Sequence, residues 1–462
     1  MPAVVLDGVA VLAYLAALLI PLLAVCITLS CLDDLAVDLI WLAGQMRRRR
    51  AGVRRWSAQD LAGVPPKPIA VLIPAWDEAA VIGAMLTSTL RRFARADVQL
   101  FVGVYPNDAA TRAAVIAVAA TTDRITLVIT PRPGPTCKAD CLNALWRAAE
   151  QSRRPFAAYL LHDAEDVVSP HEPALISHLI DRFEMIQLPV LALPSNASRF
   201  VAGHYLDEFA ESHGKDLMVR EWIGAGLPSA GVGCAFRPDA LRALAHAQGG
   251  LPFTTDSLTE DYDVALRLAA LGARQALVRL PLAPGRAAVV ATSEHFPEGF
   301  RAAVRQKARW LVGIALQGWD GLGWSGGWAR RWMLLRDRKT LVTAVVAMLA
   351  YGVAALVLAL MAWQALDPGA PRVPPLVEPG STTAALLVLN GAFLLHRLLV
   401  RALFVSRLYG AREGLLSLPR AVVGNLITFV AAVRAMRLYG RRLLAWDKTV
   451  HRFPDPQQQP AE

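Results

Sequence analysis

Phe156-Ala-Ala-Tyr-Leu-Leu161 leads without a break into His162-Asp163-Ala-Glu165-Asp166. A short apolar run that stops at a polar cluster reads as a buried strand, and the cluster then occupies the turn beyond its carboxyl end. The pattern recurs. Ile69 to Ile73 ends in Pro74-Ala-Trp-Asp77-Glu78, Val98 to Tyr105 is followed by Asn107-Asp108, and Ile125 to Ile129 forms a further run. Helical stretches separate these runs, so the region from Pro68 to about Arg338 is expected to be a parallel α/β sheet with its loops gathered at one edge. Ligands of such sheets sit outside the carboxyl ends of the strands, where these acidic groups lie.

The chemistry those groups permit follows from their types. Asp163 and Glu165, on alternate positions of one turn, offer hard oxygen ligands for Mg²⁺ or Mn²⁺, which fills its other positions with water and substrate phosphates. A diphosphate substrate follows, because such an ion stabilises charge on a leaving oxygen. Lys138, in Thr136-Cys-Lys-Ala-Asp140-Cys-Leu-Asn143, stands at a helix start behind Pro131, Pro133, Gly134 and Pro135, a place that favours phosphate; as a lone feature it reads first as a surface lysine. Thr259-Glu260-Asp261-Tyr-Asp263 opens another helical stretch. Gln306-Lys-Ala-Arg309-Trp310 supplies hydrogen-bond donors and an indole ring that can stack on a sugar face. Trp319, Trp324, Trp328 and Trp332 continue toward an apolar segment and read as interfacial anchors.

The chain is 462 residues long, 55% hydrophobic and of formal charge +10, with a positive mean hydropathy, which calls for membrane segments. Gly8 to Leu32 is an uncharged apolar run long enough to span, and no Lys or Arg precedes Arg47, so the basic region of a signal peptide is missing. Thr340 to Leu366 and Thr382 to Phe404 are the second and third expected spans. Ala421 to Val433, at about 20 Å as a helix, is too short and is expected to lie in the interface. The arginines at 47–50, and those from Arg397 to Arg442, place the N-terminus outside and the catalytic region and C-terminus inside. No aromatic-basic platform accompanies this charge, so nucleic acid is not expected as a partner. Five cysteines imply no disulfide framework and read as reduced thiols.

In order, Asp108, Asp163-Ala-Glu165, Thr259-Glu-Asp261 and Gln306-x-x-Arg309-Trp310 resemble the D, DxD, TED, QxxRW series of family 2 membrane glycosyltransferases, the group of cellulose, hyaluronan and chitin synthases. Longer strings, including Ser257-Leu-Thr-Glu-Asp-Tyr-Asp and Trp446-Asp-Lys-Thr-Val-His, resemble a narrower branch of that family connected with bacteriophage adsorption. The resemblance covers roughly residues 1 to 454. It departs at Glu165, where an aspartate is usual, and at Asn107-Asp108, where relatives often have two aspartates.

The resemblance implies a GT-A fold and an inverting transfer. Asp261 would be the catalytic base, Asp163 and Glu165 the metal ligands, and Asp108 a nucleotide ligand. Lys138 would meet the phosphates, and Gln306, Arg309 and Trp310 the acceptor or nucleotide. Asp77, Glu78, Asp140 and Glu260 complete the expected substrate-binding set. The expected organisation is an N-terminal span and connector over 1–46, a basic linker over 47–67, and a catalytic domain over 68–296. Interfacial helices over 297–338, two spans over 339–405, basic interfacial helices over 406–454 and a disordered tail over 455–462 follow. The expected function is transfer of an N-acetylhexosamine from a UDP-sugar to a growing exopolysaccharide at the bacterial inner membrane. An export partner in the periplasm or outer membrane is expected. Cyclic-dinucleotide control, which relatives can carry in a longer C-terminal region, would come from a separate chain. The alternatives are transfer of one sugar to a polyprenyl-phosphate lipid and a non-catalytic scaffold for a surface receptor complex.

Overall fold

The computed structural model describes residues 3–52, 56–367, 375–441 and 451–455, with the side chains of the first segment from residue 10 onward. Most of the tail from Asp455, and most of the Trp446-to-His451 string, lie outside the described residues.

The expected strands form. β1 (Ile69–Pro74), β2 (Val98–Val104), β3 (Ile125–Ile129) and β4 (Ala158–Leu161) pair in parallel in the order β3-β2-β1-β4. Every residue of β1 is buried, as a strand covered on both faces requires. Beyond β4 the sheet departs from the all-parallel expectation. β5 (Met185–Gln187) and β7 (Cys234–Phe236) follow in the order β4-β7-β5, with β7 antiparallel to both neighbours, and β8 (Gln275–Leu277) closes the edge, so the sheet is mixed. These strands have three residues each, too few to display a period, and their direction is set by tertiary pairing. A separate pair, β6 (Val190–Ala192) and β9 (Thr292–Glu294), lies outside this sheet.

Helices cover both faces. α1 (Ala3–Arg50) precedes the sheet; α2 (Ile82–Arg92), α3 (Ala109–Ala119), α4 (Lys138–Glu150) and α5 (Glu172–Leu179) connect its first strands. One core cluster joins β1 and β2 side chains to Ile82, Met85 and Leu86 of α2, and a second joins the opposite strand face to Cys141, Leu142 and Leu145 of α4. α6 (Gly203–Glu211) runs through a π-helical turn, Ser212–Asp216, into α7 (Leu217–Trp222); α8 (Pro238–Ala247) and α9 (Glu260–Ala270) follow. α10 (Phe300–Leu311), a second π turn and α11 (Gly318–Leu322) lead to the long helices α12 (Trp328–Leu366), α13 (Thr382–Tyr409) and α14 (Ala411–Gly440).

Four helices, α1, α12, α13 and α14, are long and apolar enough to cross a membrane, where three spans were expected. The difference is α14. Its apolar centre has only 13 residues between Arg420 and Arg434, but the helix continues through both arginines to 30 residues. The flanking charge is accommodated by burial: Arg420 is fully buried, 2.8 Å from Asp207 and 2.7 Å from Glu413. α14 also packs lengthwise on the catalytic domain, with Ile427, Ala431 and Ala435 against Tyr205, Phe296 and Ala308.

An ionic layer ties the spans to the domain. Arg336 of α12 pairs with Asp33 (2.6 Å) and Asp34 (3.0 Å) of α1, and His396 of α13 meets Asp38 at 2.8 Å. From the domain, Lys215 reaches Asp38 (2.5 Å) and Glu211 (2.8 Å). Leu39, Leu42 and Met46 of α1 and Leu399 and Leu403 of α13 are exposed beyond this layer, so the apolar outer surface of these helices extends past the charges, which face one another.

Candidate functional site

The cleft lies at the carboxyl ends of β1 and β4. His162 fixes its floor. Fully buried, it places Nδ1 2.8 Å from Asp166 and Nε2 3.3 Å from Glu172, and these carboxylates raise its pKa to about 10 against the opposing effect of burial. Asp166 Oδ2 also accepts the backbone N–H of Asp163 at 2.9 Å. The turn after β4 is therefore held by hydrogen bonds from within, and Asp163 and Glu165 line the cleft.

They face different partners. Asp163 Oδ1 lies 2.6 Å from the ammonium of Lys138, which opens α4, and Lys138 also lies 4.0 Å from Glu260. Glu165 turns the other way, to His451, whose Nδ1 is 3.0 Å from Glu165 Oε1 and 2.7 Å from Glu78 Oε1. Glu78, Glu165 and His451 each bring one ligand atom within 4.8 Å of the others. Two carboxylates and an imidazole are a donor set that suits a divalent ion, Mn²⁺ better than Mg²⁺ because of the nitrogen ligand. The two carboxylates raise the pKa of His451 to about 11 against burial.

Across the cleft, α9 begins at Glu260, and its first turn presents Glu260 and Asp261. Burial raises both carboxyl pKa values, that of Glu260 to about 7, with the neighbouring Asp261 adding to the effect. Asp261 accepts the backbone N–H of Tyr262 at 2.7 Å. Over its other oxygen runs the Ser229-to-Gly233 loop. Gly231 adopts φ +80°, and a Cβ there would stand 2.6 Å from Asp261 Oδ2, so only glycine lets this backbone approach.

α10 supplies the third wall. Gln306, Arg309 and Trp310, three and four residues apart, share one face and line the cleft. Gln306 is buried, and its Oε1 has no hydrogen-bond partner among the described residues, an acceptor left unused in a residue that lines the cleft. Trp310 packs edge-on to Tyr205 (6.1 Å) and Phe296 (6.4 Å), which stack on each other at 4.6 Å.

Of the residues singled out in the sequence, the cleft thus collects Glu78, Lys138, Asp163, Glu165, Glu260, Asp261, Gln306, Arg309 and Trp310. Asp77, Asp108 and Asp140 are not among its lining residues. Asp108 spends both oxygens on backbone: Oδ1 caps α3 through Thr111 N–H (3.1 Å), and Oδ2 accepts Asp77 N–H (2.6 Å), holding Asp77 at φ +56°. Asp140 pairs with Arg132 at 2.6 Å.

Sequence reasoning missed Trp76, Glu294 and His451, which also line the cleft. Trp76 stands edge-on to Tyr105 at 5.0 Å, and Gly134, whose Cβ would lie 2.5 Å from the Trp76 ring, backs it. Asn107 clamps Gly134 by a reciprocal pair of 2.7 Å hydrogen bonds. Trp76 stands two residues past the end of β1, and that strand-end position is the available signal. His451 carried only its place in a longer string.

A family model described as glycosyltransferase like family 2 matches residues 65–313. Two curated relatives, bacteriophage adsorption protein B of Escherichia coli K12 and bacteriophage N4 adsorption protein B of E. coli O157:H7, are each 38% identical over 457 residues. The alignment covers 94% of this chain and 61% of theirs, so the chain spans about three fifths of the length of these relatives. Among solved structures, glucosyl-3-phosphoglycerate synthase of Mycobacterium tuberculosis with Mn²⁺ and UDP-glucose is 20% identical over 50% of this chain and 75% of its own, at a TM-score of 0.30. Residues 1–349 of S. aureus TarS are 11% identical over 81% of this chain and 92% of their own, at a TM-score of 0.35.

Proposed function

Because the chain belongs to glycosyltransferase family 2, we propose that it is a metal-dependent, inverting GT-A enzyme that moves a sugar from a UDP-sugar to a growing glycan at the membrane. The supporting observation is the division of labour within one cleft. Glu78, Glu165 and His451 form a metal-binding corner, while Asp261 stands on another wall beside Lys138.

A divalent ion bound at Glu78, Glu165 and His451 would neutralise charge growing on the departing diphosphate. Trp76 offers its ring to the nucleobase, and Lys138 offers its ammonium to the phosphates. Asp261 accepts the proton of the acceptor hydroxyl as that oxygen bonds to the anomeric carbon. The bond from that carbon to the phosphate oxygen breaks at the same time, its electron pair leaving with UDP. Burial raises the proton affinity of Asp261, which suits it to this role. Gln306 and Trp310 orient the acceptor, the first by accepting a hydroxyl hydrogen and the second by stacking.

The relatives' names connect them with phage adsorption, and an exported surface glycan is the product class that agrees with such a connection. We assign the donor as UDP-N-acetylhexosamine, the location as the bacterial inner membrane with the catalytic domain inside, and α14 to the interface along the domain. An export partner completes the path outward.

The test is UDP release by purified protein in nanodiscs with Mn²⁺ or Mg²⁺ and a panel of UDP-sugars. Release with one sugar that requires metal and vanishes in Asp261→Asn supports the reading. Absence of release with every sugar, or undiminished release in the variant, overturns it.

A further inference from the structure

Between the ends of α1 and α13 and the loop after β8 lies a cavity of about 530 Å³, lined among others by Trp41, Gln45, Arg49, Arg279, Phe404 and Arg407. It shares no lining residue with the sugar cleft. Among the described residues its lining includes three arginines, Arg279 half-buried and Arg49 and Arg407 exposed, and no carboxylate. Among the described residues none of these arginines forms an ion pair, although elsewhere in the chain buried cations such as Lys215, Arg220 and Arg420 each face an acid.

Arg279 is the centre of the arrangement. One of its Nη groups donates to Gly214 O at 3.2 Å, while its Nε is buried with no acceptor among the described residues. The indole Nε1 of Trp41 is in the same condition. Burial lowers the pKa of Arg279, and the positive charge of Arg407 lowers it further, so the two guanidinium groups repel one another in a site with no counter-charge of its own. A half-buried guanidinium with an unused buried donor, beside a second and exposed guanidinium, favours an anion with several acceptor oxygens.

The rim identifies the anion's carrier. Leu42 and Met46 of α1 and Leu403 of α13 line the cavity and are each more than two-fifths exposed. They continue the apolar outer surface of these helices, and the arginines at 47–50 follow directly in the last turn of α1. The cavity therefore sits where hydrocarbon gives way to headgroups on the catalytic domain's side. A soluble phosphate would leave this apolar wall in water.

We propose that this cavity is a binding site for the phosphate headgroup of an anionic membrane phospholipid, with the acyl chains lying along Leu42, Met46 and Leu403. The bound lipid also contacts the framework of the domain. Gly214 packs on Phe404, where a Cβ would come within 2.7 Å of the ring, and it belongs to the π turn that carries Lys215 into the ionic layer. An occupied site braces that turn against the ends of α1 and α13.

The experiment is native mass spectrometry of the full chain, released from detergent containing equal amounts of phosphatidylglycerol and phosphatidylcholine. The wild type is expected to retain phosphatidylglycerol over phosphatidylcholine by about tenfold or more. The Arg279→Gln/Arg407→Gln double variant is expected to lose that preference, and Arg279→Lys/Arg407→Lys to keep most of it. Equal retention of the two lipids by the wild type overturns the proposal without recourse to any variant, as does a preference that survives in the glutamine variant. Thermal melting separates the sources of phosphate: the midpoint is expected to rise with phosphatidylglycerol and to stay fixed with millimolar inorganic phosphate. An equal rise with both would assign a free-ion site and overturn the lipid assignment. None of these readouts uses sugar transfer, so they stand apart from the enzymatic reading.

Discussion

Lys138 and Asp163 form an ion pair of 2.6 Å that joins the first turn of α4 to the turn after β4. Asp163 and Glu260 are the leading causes that hold the Lys138 pKa above its ordinary value despite burial. The lysine thus sits among carboxylates that would repel one another, and the diphosphate, without it. Lys138→Met is expected to lower UDP release by about 10²–10³-fold, the scale of one lost electrostatic contact in an active site. Lys138→Arg should retain part of the activity. Steady-state UDP release, with melting curves to confirm folding, checks this.

Gly231 tests how closely Asp261 must be held. In Gly231→Ala the new methyl would collide with Asp261 Oδ2, and the backbone would hold φ +80° against its preference. The turnover number is expected to fall by about 10²-fold, as for a catalytic group displaced by about 1 Å, while the donor KM changes little. Full kinetics on donor concentration distinguish this from a loss of binding, in which KM would rise.

His213 gives a pH signature separate from catalysis. It is buried in the π turn, where its Nδ1 accepts the backbone N–H of Val190 at 3.3 Å. Burial, and secondarily the charge of Arg279, lowers its pKa from 6.5 to about 3. The unfolded chain then binds the extra proton first. Stability from this group is complete above 6.5 and is lost as pH falls toward 3, at a limiting slope of about 1.4 kcal/mol per pH unit. His213→Asn is expected to flatten the melting midpoint between pH 6 and pH 4 relative to wild type. Parallel curves for the two proteins would refute the assignment.

Arg420 anchors α14 to α6 and to the helix's own first turn. Arg420→Met leaves Asp207 and Glu413 without their cation and is expected to cost about 3–5 kcal/mol. Limited proteolysis and melting in nanodiscs should both report a loosened C-terminal helix. Restoring charge alone with Arg420→Lys should recover only part of the loss, since two acids are bridged by one planar group.

The strand ends were legible because a local signal, an apolar run stopped by acids, coincides with where α/β sheets place chemistry. β1, β2 and β3 match the sequence reading to within a residue, and Asp163, Glu165 and Asp261 all line one cleft. What the sequence did not disclose depends on distant partners. His451 meets Glu78 from 373 residues away, and no local pattern marks that contact. β7 runs antiparallel because of the strands on either side of it, which three residues cannot announce. Asp108 stands ahead of an apolar helical stretch, a place that also suits a helix cap, and its oxygens accept the backbone N–H groups of Thr111 and Asp77. α14 was cut short in the reading because its arginines counted as boundaries, whereas Arg420 is buried against acids contributed by α6 and by its own first turn.

The ionic layer has a consequence for biosynthesis. Asp33 finds Arg336 across 303 residues of chain. At about 5–20 residues per second, the ribosome needs roughly 15–60 s to make that stretch. Until then Asp33, Asp34 and Asp38 of α1, a helix long and apolar enough to cross a membrane, lack their partners from α12 and α13, and lone charge in such a helix is costly. The nascent first helix must therefore wait, sheltered by the insertion machinery or by water at the bilayer surface, while the whole sugar-handling domain emerges and folds. Only when α12 and α13 arrive can the membrane part lock, so assembly of this protein ends where its synthesis began.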